Sequence, residues 1–229
     1  MRLAILISGR GSNMSCLADA IASYQLAAEI VLVAANKRCA GVDEATRRNL
    51  PTALISRTDF DSREDQERAL ISAIEDSGAD LVFLAGYMAI LSPSFVAHFA
   101  GRIINIHPSL LPAFKGLDTH QRALDSGATR HGAAVHIVAP DLDDGPICLQ
   151  AGLNITQDVT AEALASQVLE LEHALYPFIL YALCCGILTI SEGQPEWHGS
   201  SEVLWSAPAP IRTVLDETII WPVSEQNRN

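Results

Sequence analysis

The chain has 229 residues, 49% of them hydrophobic, and 27 acidic residues against 15 basic ones leave a formal charge of −12. That length fits one compact domain whose core buries roughly 70% of the unfolded chain's surface. The negative balance argues against nucleic acid as a partner and means that a small anionic ligand needs a local positive site. Five cysteines without a C-x-x-C pair (Cys16, Cys39, Cys148, Cys184, Cys185) fit reduced thiols of the cytoplasm better than a disulfide frame or a zinc site. No stretch approaches the roughly 20 apolar residues that span a bilayer, and the apolar run after Met1 is too short for a secretion signal.

Residues 3–7 read as a buried strand, and Ser8-Gly9-Arg10-Gly11-Ser12-Asn13 follows as a glycine-rich turn. A helix starts there, because Met14, Leu17, Ile21 and Tyr24 recur at helical spacing, with Ser12 or Asn13 as its N-cap. Exposed amides and the helix dipole at such a point favour an anion. The dinucleotide fingerprint fails, since Met14 stands where its third glycine belongs and the second strand, 30–35, ends at Asn36 rather than an acid. The turn reads either as a seat for one phosphate, as in a phosphoribosyl compound, or as a plain strand-to-helix turn.

Strand and helix signals then alternate, with helix at 45–50, strand at 52–55, helix at 61–77 and strand at 80–85, which implies a parallel sheet with right-handed crossovers. The fourth strand runs into the apolar loop Gly86-Tyr87-Met88-Ala89-Ile90-Leu91-Ser92-Pro93. In open sheets ligands lie beyond the carboxyl ends of the strands, so this loop is either one wall of a pocket for a flat heterocycle or satellite core.

Arg102-Ile103-Ile104-Asn105-Ile106 has the β-branched content of a buried strand, and a period of two puts Asn105 and His107 on one face. Pro108 and Pro112 lack amide donors and turn the chain away. Taken alone, Asn105 is a turn residue and His107 a satisfied core histidine; partners elsewhere change that reading. Residues 111–116 read as a loop, 119–126 as a short helix, and 133–139 and 147–153 as strands separated by Pro140-Asp141-Leu142-Asp143-Asp144-Gly145-Pro146. Three acids in one turn are a solvated loop by default. The last long helix covers 160–185, with Leu164, Val168, Leu171, Leu175, Phe178 and Ala182 on its buried stripe and Glu172 at the flank. Pro177 is expected to kink it and Gly186 to end it. Beyond 191 the tryptophans Trp197, Trp205 and Trp221 interleave with prolines, which suggests a strand or hairpin laid on the domain and then a disordered polar tail at 224–229.

Together, Ser8-Gly9-Arg10-Gly11-Ser12-Asn13, Ala85-Gly86-Tyr87-Met88, Asn105-Ile106-His107-Pro108-Ser109-Leu110-Leu111-Pro112 and Leu142-Asp143-Asp144-Gly145 resemble, in this order, the folate-dependent glycinamide ribonucleotide transformylases of the formyltransferase family. The resemblance covers 2–190. It implies a Rossmann-like α/β fold, a mainly parallel twisted sheet flanked by helices in a single domain over 1–190, with 191–229 as an extension packed on it. It implies an enzyme that uses 10-formyltetrahydrofolate as co-substrate, acts on 5-phosphoribosylglycinamide without a metal or a membrane, and works as a monomer or homodimer.

On matching positions, Gly11, Ser12 and Asn13 would hold the substrate phosphate and Glu172 its ribose. Arg63, Met88, Ala89, Ile90, Leu91, Asn105, Asp141 and Leu142 would meet the folate. Asn105, His107 and Asp143 would be the catalytic group, with Asn105 and protonated His107 donating to the oxygen that gains charge and Asp143 raising the His107 pKa. Ala89 replaces an arginine common in the family, Asp118 a histidine of some members, Ala134 a Ser or Thr, and Asp144 a frequent glycine. The alternatives are a formyltetrahydrofolate hydrolase, in which water replaces the amine, and a non-catalytic sensor of phosphorylated metabolites on the same fold.

Overall fold

The computed structural model describes residues 1–198 and 207–222, so Trp205 and the tail at 224–229 lie outside the described residues. The chain divides into two compact units, Met1–Asn105 and Ile106–Asn229.

The first unit is built on parallel strands in the order β5-β4-β1-β2-β3: β1 (Arg2–Ile7), β2 (Glu29–Ala35), β3 (Thr52–Leu54), β4 (Leu81–Leu84) and β5 (Ile103–His107), the last carrying the chain into the second unit. Leu3, Ala4, Ile5, Leu6 and Ile7 are all fully buried, as an unbroken apolar run must be in a parallel strand covered on both faces. The helices are α1 (Ser12–Tyr24), α2 (Ala40–Arg47), α3 (Arg63–Ser77) and α4 (Pro93–His98); α2 and α3 pack against β2.

Three local expectations change. Neither Ser12 nor Asn13 caps α1; the N-cap is Gly11 at φ 78, a left-handed conformation that glycine adopts without strain, and Ser12 opens the helix itself. Helix α2 begins at Ala40 rather than 45, because the Gly41 amide donates to the Gly9 carbonyl at 2.9 Å and draws the helix start onto the glycine turn. Helix α4 had no counterpart in the sequence reading, although its Ser92 cap, whose hydroxyl accepts from the Phe95 amide at 3.1 Å, and Pro93 at its first position form an ordinary start signal.

In the second unit β6 (Arg130–Ile137), β7 (Ile147–Asn154) and β10 (Ile219–Ile220) are antiparallel neighbours in the order β6-β7-β10, with α5 (Thr119–Asp125) preceding them. Helix α6 (Ala161–Cys184) lies on β6 and β7, and the six residues expected on its stripe are all buried. Its start is capped by Thr160, the helix continues on both sides of Pro177, and Gly186 follows its end at φ 68. The Ile187 amide reaches back to the Ala182 carbonyl at 2.9 Å, closing the last turn. Where a strand or hairpin was expected beyond 191, a hairpin starts earlier, as β8 (Leu188–Ser191) and β9 (Gln194–Trp197), and α7 (Ala209–Leu215) packs on α6. The fold is therefore the expected α/β class, a mainly parallel sheet flanked by helices.

Tryptophans fix the extension by packing: Trp197 stacks on Phe178 at 6.0 Å, Trp221 meets both edge-on at 6.3 and 5.0 Å, and the Trp197 indole donates to the Cys148 carbonyl at 2.9 Å. Phe178→Ala should lower stability by about 3–5 kcal/mol, because a fully buried ring would leave a cavity under both indoles. A urea titration with an unchanged midpoint would contradict this. A second expectation concerns pH. His131 on β6 is fully buried, and burial first, then the His120 and His107 charges, depress its pKa from 6.5 to about 4, against the Pro108 carbonyl. Its stabilising contribution is complete above 6.5 and is lost as pH falls to about 4, by up to about 3 kcal/mol. His131→Gln should flatten that fall, and equal slopes in the two chains would refute the assignment.

Candidate functional site

In the first unit three loops meet at the carboxyl ends of β1, β2 and β4. The Ser8 hydroxyl donates to Asn36 Oδ1 at 2.7 Å and accepts from the Met88 amide at 2.8 Å, while the Ser8 amide reaches the Gly86 carbonyl at 3.1 Å. A Cβ on Gly11 would come within 2.9 Å of Gly41 Cα, so the turn requires glycine for space as well as for its positive φ. No side chain caps α1, and its first-turn amides at Ser12, Asn13 and Met14 lie outside the helix ladder. That is the geometry an anion uses.

Arg63, at the start of α3, pairs with Glu67 at 3.1 Å and donates to the Ile90 carbonyl. Glu67 in turn accepts from the Ser92 amide at 2.9 Å and from its hydroxyl. The loop is thus braced at both ends of Ile90-Leu91. Met88 and Ile90 stand 68% exposed, Leu91 is buried, and Ala89 presents only a methyl group. Two large apolar side chains held open on a braced loop suit a flat ligand. Asn105 ends this unit on β5, paired with Leu84.

In the second unit the structure brings His107 and Asp143 together. His107 Nδ1 lies 3.3 Å from Asp143 Oδ2, and the two side chains are 6% and 9% exposed. The acid loop approaches because of Gly145, where a Cβ would fall 1.8 Å from the Ile137 carbonyl oxygen. Asp143 also accepts from the Gly116 amide at 2.9 Å, and its other oxygen lies 3.6 Å from His136 Nε2. On the far side of the imidazole, His107 Nε2 lies 3.0 Å from the Phe114 carbonyl. Asp141 and Leu142, expected at the folate, are exposed on the same loop, and Glu172 is buried on α6. His136, the Phe114 carbonyl and the Gly116 amide did not stand out in the sequence. Only the place of His136 in a strand expected at 133–139 was legible.

Burial depresses the His107 pKa, and the Phe114 carbonyl and the Asp143 carboxylate push it back up without reversing the direction. The expected influence of Asp143 is present, but a raised pKa is not the net result, because desolvating the imidazolium outweighs it. For Asp143, burial acts upward, yet the His136 hydrogen bond, the Gly116 amide and the His107 charge hold it below its ordinary value. Asp143 is therefore a fixed carboxylate at neutral pH. Both ring nitrogens of His107 face oxygen acceptors, so a neutral ring leaves one lone pair pointing at an acceptor and a charged ring satisfies both. The ring is thus poised to hold a second proton once further negative charge arrives. Among the described residues no group of three or more His, Cys, Asp and Glu side chains is gathered as a metal site. No helix among them is long and apolar enough to cross a membrane.

The formyl transferase family profile matches residues 1–180. Phosphoribosylglycinamide formyltransferase of Escherichia coli is 40% identical over 193 residues, covering 84% of this chain and 91% of that one. The trifunctional purine biosynthetic protein adenosine-3 of Bos taurus is also 40% identical, over 83% of this chain, but the match spans only 19% of that longer protein. The solved structure of glycinamide ribonucleotide transformylase 1 from Symbiobacterium toebii superposes with a TM-score of 0.82 at 32% identity, covering 87% of this chain and 94% of that one. The chain belongs to the formyl transferase family, in its phosphoribosylglycinamide formyltransferase branch.

Proposed function

We propose that the chain transfers the formyl group of 10-formyltetrahydrofolate to the amine of 5-phosphoribosylglycinamide, a step of purine biosynthesis. The observation that carries this reading is the buried contact of His107 with Asp143 at 3.3 Å, two residues beyond Asn105 on the same strand. The substrate amine attacks the formyl carbon, a C–N bond forms, and negative charge collects on the former carbonyl oxygen. The Asn105 amide and a His107 N–H donate to that oxygen, which stabilises the transition state more than the ground state. The new charge joins that of Asp143 in favouring the imidazolium, and the oxygen competes with the Phe114 carbonyl for the Nε2 proton. As the intermediate collapses, the bond to folate N10 breaks. The proton shed by the attacking nitrogen, relayed by a water that Asp143 orders, replaces the formyl group on N10.

Binding is assigned on the same reading. Gly11, Ser12 and Asn13 offer the first-turn amides of α1 to the substrate phosphate, and Glu172 takes the ribose hydroxyls. Arg63, Met88, Ala89, Ile90, Leu91 and Asn105, with Asp141 and Leu142, receive the folate. With alanine at 89 and Arg63 engaged by Glu67, the charged folate tail is held less firmly than where an arginine occupies that position. Residues 1–190 carry the transferase, and 191–229 are an extension to it.

Formyl-folate consumption, followed by absorbance with and without the ribonucleotide amine, tests the proposal. Consumption is expected only with the amine; consumption without it would favour the hydrolase, and none at all the sensor. His107→Ala should lower kcat by about 10²–10³ while the KM for folate stays nearly constant, and Asn105→Ala should lower kcat by a similar factor and raise that KM as well. Asp143→Asn should lower the His107 pKa further, because the carboxylate now pushes it up. An unchanged imidazole titration by NMR would remove the electrostatic role.

A further inference from the structure

We infer that Lys115 and Asp144 form a latch between two loops, and that this latch aims the Asp143 carboxylate at His107; the inference rests on the catalytic reading of those two residues. The ammonium of Lys115 is paired with Asp144 Oδ1, joining the loop between β5 and α5 to the loop between β6 and β7. One residue along on each loop, the Gly116 amide donates to Asp143 Oδ2 at 2.9 Å. The two contacts lie side by side, 115 with 144 and 116 with 143, so they clasp the loops at two adjacent points.

Apart from the contacts of Asp143 itself, the location distinguishes this pair from the other ion pairs among the described residues. Arg47 with Glu44, Arg48 with Glu44, Arg63 with Glu67 and Arg68 with Asp65 are one helical turn apart in sequence, and Arg48 with Asp19 and His98 with Glu75 join helices or their ends. Lys115 and Asp144 instead bridge two irregular segments. Those segments need bracing. Phe114, Asp118 and Asp143 all hold φ near +50°, a conformation that costs energy for residues with a Cβ and persists only where surrounding contacts over-determine it. Arg122 supplies part of the bracing by donating to the Lys115 carbonyl at 2.6 Å and to the Leu117 carbonyl at 3.1 Å. These contacts fix the backbone of the first loop, and the Lys115 side chain then fixes the second loop to it. The ammonium also neutralises a carboxylate immediately next to Asp143 and so limits repulsion between the two acids.

Lys115 and Asp144 are positioning residues, acting through the Gly116 amide and Asp143. An exposed ion pair is a weak contact, so each of Lys115→Met and Asp144→Asn should lower kcat by about two- to fivefold with both KM values nearly unchanged. The double variant should be no worse than either single one, and the exchange Lys115→Asp with Asp144→Lys should recover most of the loss. Raising salt from about 0.05 to 0.5 M should bring the wild-type kcat toward that of the single variants.

An NMR titration of His107 without substrates supplies the readout that a merely structural role would not move. If the side chains acted only through space, Lys115→Met would raise the His107 pKa and Asp144→Asn would lower it. A latch lowers it in both, because the Asp143 carboxylate drifts away in both. Opposite shifts, no shift, additive losses in kcat, or a KM rise confined to Lys115→Met would overturn the inference, the last by placing the lysine on substrate. Should the wild-type chain show no amine-dependent formyl transfer, the functional reading fails, and the His107 titration still decides the latch.

Discussion

The Asp143 carboxylate lies where three nitrogens converge, one from each ring of His107 and His136 and the Gly116 backbone amide. A carboxylate this buried is tolerable only when hydrogen-bonded on several sides, and the sum of those bonds keeps it ionised. The neighbourhood is arranged to allow it. Gly145 lets the acid loop close on the Ile137 carbonyl, Asp143 takes a left-handed backbone conformation to turn its side chain inward, and the proline-rich segment after β5 delivers the Gly116 amide. His107 pays for its burial with a depressed pKa, which the carboxylate and the Phe114 carbonyl only partly offset. Further negative charge beside such a ring would favour its charged form.

The first unit solves a different problem with the same economy of groups. A glycine turn, a neighbouring glycine at Gly41 and the Ser8 hydroxyl tie three loops to the ends of parallel strands, leaving the amino terminus of α1 without a side-chain cap. An uncapped helix start keeps its first-turn amides outside the helix ladder. The apolar loop after β4 is held from below by Arg63 and Glu67, so Met88 and Ile90 stay exposed without the loop collapsing onto the core.

The segment beyond the family match belongs to the second unit. Its hairpin and α7 lie against α6, β10 extends the β7 edge, and Trp197 and Trp221 close over Phe178. Burying aromatic rings and pairing an exposed strand edge both favour the folded state, so the extension is held by ordinary packing.

Local sequence determined much of this. The strand at Ile103–His107, the buried stripe of α6 and the glycine turn followed from residue type, periodicity and turn chemistry, because those signals depend on residues within a few positions of each other. Asn105, His107 and Asp143 were legible as candidates through the resemblance of their two motifs to the formyltransferase family. Tertiary structure alone decided what joins across distance. The start of α2 answered to a contact with the glycine turn, His136 and the Phe114 carbonyl reached His107 and Asp143 through loops whose path no local pattern encodes, and Arg63 was claimed by Glu67. The net direction of the His107 pKa was hidden for the same reason, since sequence names the neighbouring acid but not the depth at which the ring is buried.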